Sequence, residues 1–61
     1  MSKSLYTVTH THDYGSDSWL VRANHLPTQE EVIALFNIDF EPARGEDLEI
    51  NWVNETAIKE L

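Results

Sequence analysis

His10 and His12 stand two residues apart in a strictly alternating run from Leu5 to His12. In a strand such residues point to one face, so the two imidazoles could share a metal ion, with Asp13 next in the chain. A zinc site needs at least one further ligand, and the only other imidazole is His25. The chain has no cysteine, which removes a disulfide scaffold and the thiolates of most structural zinc sites. The expectation is two solvent-facing or rim histidines at a strand end, holding no metal and no cofactor.

Nucleophilic catalysis has no firmer basis. Serine, histidine and aspartate are present, but no serine lies in a strained-turn motif. The eleven carboxylates should stay ionised on a small solvated surface, whereas acid catalysis needs one in an apolar pocket. A non-enzymatic protein is expected. Thr9-His10-Thr11-His12-Asp13 resembles the His-x-His-x-Asp ligand motif of metallo-β-lactamase-type hydrolases. Here the Asp comes one position early, the usual following His is absent, and 61 residues cannot hold that fold.

Charge gives the stronger lead. Residues 1–27 carry two bases, Lys3 and Arg22, against Asp13 and Asp17, while 28–61 carry Arg44 and Lys59 against nine acids. The whole net charge of −7 therefore belongs to the second half. Asp39, Glu41, Glu46, Asp47 and Glu49 lie close together in sequence, opposed only by Arg44. Such a block projects a negative field that suits a partner protein with a basic surface, its carboxylates imitating a phosphate track. The same residues alternating with apolar ones also describe the solvated face of an edge hairpin. Four scattered bases make no patch for direct nucleic-acid binding.

The elements that must position these groups follow from periodicity. Leu5–His12 reads as a half-buried strand, and Trp19, Val21 and Ala23 alternate along a second one. Asp13-Tyr14-Gly15-Ser16-Asp17 joins them as a hairpin loop longer than two residues, so the register stays open. Thr28-Gln29-Glu30-Glu31 is a capping box that starts a helix over Gln29–Phe36, closed by Asn37. Val32, Leu35 and Phe36 form its stripe, with Ile33 at the edge. Ile38–Glu41 predicts a short strand, Pro42–Gly45 a tight turn, and Leu48, Ile50 and Trp52 a longer strand. After Asn54, a helical turn would face Ala57, Ile58 and Leu61 inward and set Glu55 against Lys59.

The order β-β-α-β-β with a helical tail describes one α+β domain, an antiparallel sheet with its helix on one face. Its expected core is Tyr6, Val8, Val21, Val32, Leu35, Phe36, Phe40, Leu48, Ile50 and Trp52. The sequence shows no bilayer-spanning run and no signal-peptide stretch, which leads to the expectation of a cytoplasmic protein, monomeric or homodimeric. In size and charge the chain resembles the small acidic inhibitors that phage and mobile elements direct at host proteins. The functional expectation is a protein-binding or inhibitory module acting through Asp39, Glu41, Glu46, Asp47 and Glu49. The alternatives are an assembly protein that dimerises through a strand edge or its tail and, behind that, a histidine metal-binding protein.

Overall fold

A computed structural model describes residues 2–61. Strands β1 (Ser4–His12) and β2 (Gly15–Ala23) form an antiparallel hairpin, helix α1 (Gln29–Phe36) follows, and β3 (Asp47–Val53) completes the sheet. The sheet order is β2-β1-β3, with β3 antiparallel to β1, so β2 and β3 run parallel on either side of the first strand. The α+β reading holds, with three strands rather than four.

The hairpin loop is shorter than its turn-forming residues suggested. His12 pairs with Gly15, leaving Asp13 and Tyr14 as the loop. Both keep negative φ, and the unusual backbone falls on Gly15 at φ +130°, open to glycine because it has no Cβ. This register answers which side chains share a face. Val8 lies opposite Trp19 and Ile50, Tyr6 opposite Val21 and Trp52, and His10 opposite Asp17 and Leu48. The other face collects Thr7, Thr9 and Thr11 with Ser16, Ser18, Leu20, Asp47 and Glu49, and α1 lies on the side away from it.

Helix α1 has the predicted bounds because both ends are satisfied locally. Thr28 Oγ1 accepts from the Glu31 amide at 3.2 Å, and Glu31 accepts from the Thr28 amide at 3.0 Å. At the other end Asn37 takes the left-handed conformation (φ 55°), and the amides of Asn37 and Ile38 both donate to the Ile33 carbonyl. The inward face is Gln29, Val32, Ile33 and Phe36, an i, i+3, i+4, i+7 set; Gln29 Nε2 donates to the Leu48 carbonyl at 2.9 Å and fastens the helix to β3. Leu35 is 63% exposed and drops out of the expected core.

The core is small: Val8, Val32, Ile38 and Leu48 are buried together, with Trp19, Val21, Ile33, Phe36, Phe40 and Ile50 packed around them. Tyr6 is buried too, but Trp52, on the same side of the sheet, is 61% exposed. Ile38 reaches this core from a segment that forms no strand. Pro42, which lacks an N–H, opens a 3₁₀ turn (Pro42–Arg44), and the Glu41 amide donates to Glu46 Oε1 at 3.1 Å instead of to a ladder. After β3 the tail makes a second 3₁₀ turn (Glu55–Ala57) capped by Asn54, with Ala57, Ile58 and Leu61 exposed rather than inward. Glu55 meets Arg22 at 2.9 Å rather than Lys59. No helix among the described residues is long and apolar enough to cross a membrane.

Candidate functional site

The hairpin register carries chemistry as well as packing. Because Asp17 lies opposite His10, and His12 lies two residues on, all three side chains issue from one face at one end of the sheet. The ring centroids of His10 and His12 are 5.1 Å apart, and His12 Nε2 lies 3.1 Å from Asp17 Oδ2. The Tyr14 amide donates to His12 Nδ1 at 3.2 Å, so the ring proton is on Nε2 and points at Asp17.

His10 is neither solvent-facing nor a rim residue. It is buried and donates from Nε2 to Glu46 Oε1 at 2.7 Å, with both side chains 7% exposed. That imidazole, and then the Glu41 amide, hold the Glu46 carboxyl below the usual glutamate range. Phe40 meets the His10 ring edge-on at 5.8 Å. Glu46, read in the sequence as one of five surface carboxylates, therefore ties the loop before β3 to the central strand.

The other four members of the acidic block are exposed, though not on one surface. Asp47 and Glu49 lie opposite Thr11 and Thr9 on the uncovered sheet face. Asp39 borders a recess on the covered side, and Glu41 lies between it and the 3₁₀ turn. The recess measures about 320 Å³ and opens between the hairpin tip and the end of α1. Trp19 and Phe36, stacked with centroids 5.3 Å apart, form its apolar wall, and Asp13, Asp17 and Asp39 stand around it with Arg44.

Folding thus places two acids of the neutral half, Asp13 and Asp17, beside the acidic block of the other half. Seven of the eleven carboxylates gather at this end of the molecule. Sequence reasoning missed Asp17 and Trp19 as members of this site and gave Glu46 as a surface carboxylate rather than the partner of His10; a two-residue hairpin loop was the signal that would have paired Asp17 with His10. No protein family, curated protein or solved structure matches this chain, so these contacts carry the functional argument.

Proposed function

We propose that the chain is a non-catalytic protein-binding module whose acidic end receives a lysine or arginine side chain from a basic partner. The observation that carries this reading is the recess: an aromatic wall, Trp19 on Phe36, with carboxylates around its mouth. A long cationic side chain can lay its methylene stem on such a wall while its head meets Asp13, Asp17 or Asp39. Apolar centre and charged rim is also the anatomy of a protein interface, where a few anchors supply affinity and the rim steers encounter. Asp39 belongs to that rim with Asp13 and Asp17, Glu46 supports it from inside, and Glu41, Asp47 and Glu49, outside the recess, add to the negative field that steers encounter. On a partner that holds nucleic acid in a basic groove, this occupancy would be inhibitory.

The test is a titration of the full chain with a lysine-rich peptide, followed by amide and indole NMR shifts at low and high salt. Shifts should concentrate on Trp19, Tyr14, Asp17, Asn37 and Asp39 and fade as salt rises. The triple variant Asp13→Asn, Asp17→Asn, Asp39→Asn should bind more slowly with a flatter salt dependence. Perturbation spread evenly over all carboxylates, or a triple variant that binds like the parent, would sink the recess as the recognition site.

A further inference from the structure

We propose that His10, His12 and Asp17 form a binding site for a borderline divalent transition-metal ion of the zinc type. The expectation against a metal rests on the lack of cysteine and of a third ligand with motif spacing, and the hairpin brings Asp17 in as a third ligand. Each of the three side chains offers a donor atom, and the donors lie within 4.8 Å of one another. The His12 Nε2 to Asp17 Oδ2 separation of 3.1 Å approaches the roughly 3.3 Å edge of a tetrahedron built on zinc bonds of about 2.0 to 2.1 Å.

The second observation concerns His10. Its Nε2–H is taken by Glu46, so in the neutral ring the lone pair is on Nδ1. Among the described residues no hydrogen bond reaches Nδ1, and none of their buried side-chain nitrogens or oxygens lacks a partner. This nitrogen is therefore open rather than sealed, on a residue that lines the recess. A carboxylate holding the far nitrogen of a ligating imidazole is the usual outer support of a histidine metal site, and Glu46 has that position toward His10.

Two imidazoles and one carboxylate select zinc, nickel or copper over magnesium and calcium, which need more oxygen ligands. The recess leaves room for water at a fourth position. An ion on His12 Nε2 displaces the proton shared with Asp17 and puts the ring proton on Nδ1. The Tyr14 amide must then give up its bond to that nitrogen, so metal binding reshapes the hairpin loop. That rearrangement limits the site to moderate affinity and gives it a reporter.

The experiment is a calorimetric titration of the full chain with zinc ion alone, and with magnesium as the contrast. In parallel, NMR follows the histidine ring nitrogens and the Tyr14 amide. One zinc per chain should bind saturably, moving the His10 and His12 ring signals and the Tyr14 amide, while magnesium does nothing. His12→Ala and Asp17→Asn, both at exposed or half-exposed positions, should each weaken zinc about tenfold or more, and Glu46→Gln by about 10- to 100-fold. His25→Ala should bind as the parent does, because His25 is engaged with Glu31 at 3.0 Å, outside the cluster. Absence of saturation, unmoved ring nitrogens in the parent, or affinity lost in His25→Ala and kept in His12→Ala would each overturn the site. The ring-nitrogen measurement needs no variant, so a misfolded mutant does not protect the proposal. It also stands apart from the peptide reading: a chain that takes zinc but ignores basic peptides keeps this site and loses that one.

Discussion

Glu46 shows how far one side chain can depart from the role its neighbours suggest. It sits among exposed acids in the sequence, yet its carboxylate accepts from His10 and from the Glu41 amide and is nearly closed to solvent. Its pKa is lowered on folding, as is that of Glu31, held first by the Thr28 amide and then by His25. A lowered carboxylate pKa contributes stability that is complete above the unfolded value and is lost as pH falls through the folded one. Glu46→Gln keeps the shape and removes the titration. Its unfolding free energy should therefore decline less steeply than the parent's between about pH 5 and 3. Parallel declines in urea melts over that range would show that Glu46 adds nothing to acid sensitivity. Asp17 makes the complementary point. Nothing in the sequence pairs it with His10 until the hairpin loop is known to be two residues, because one residue of slip turns every β2 side chain to the opposite face.

Helix α1 was legible to the residue because its signals are local: a Thr/Glu box at the start and an asparagine stop. Which face it buries was less legible. A stripe through Leu35 and one through Ile33 differ by little in a helix of eight residues, and Gln29, a polar residue bonded to the Leu48 carbonyl, decides between them. Thr28→Ala should cost about 1 kcal/mol through the lost cap. Phe36→Ala should cost about 3 kcal/mol, as it strips the Trp19 stack, while Leu35→Ala should stay within about 0.5 kcal/mol. Chemical denaturation of the three variants tests this order, and a Leu35→Ala loss rivaling Phe36→Ala would restore the face the sequence suggested. Ile38–Glu41 was misread for a different reason. Alternation over four residues shows which way side chains would point but not where the backbone groups find partners: here the Ile38 amide donates to the Ile33 carbonyl, the Glu41 amide to the Glu46 carboxylate, and the Glu41 carbonyl accepts from Arg44 in the 3₁₀ turn.

At the scale of the molecule, the charge asymmetry along the chain becomes an asymmetry in space, and it sharpens because the hairpin adds Asp13 and Asp17 to the acidic end. Carboxylates gathered this way repel one another, and added salt screens the exposed ones more than the enclosed His10–Glu46 pair. The melting temperature should therefore rise with ionic strength. A flat or falling response in a salt series would mean that attractive surface pairs, such as Arg22–Glu55, outweigh the repulsion.

The sheet order also bears on the order of folding events. The middle strand reaches β2 across a two-residue loop, whereas its pairing with β3 must close a far longer one, so the hairpin is expected to form before Asp47–Val53 joins it. Until then one edge of β1 and the face bearing Tyr6, Val8 and His10 are bare, a template for pairing with another copy. Within the longer loop, residues 28–46 contain five acids against a single base. A chain that has not yet paired its third strand thus carries a charge that opposes its sticking to other copies.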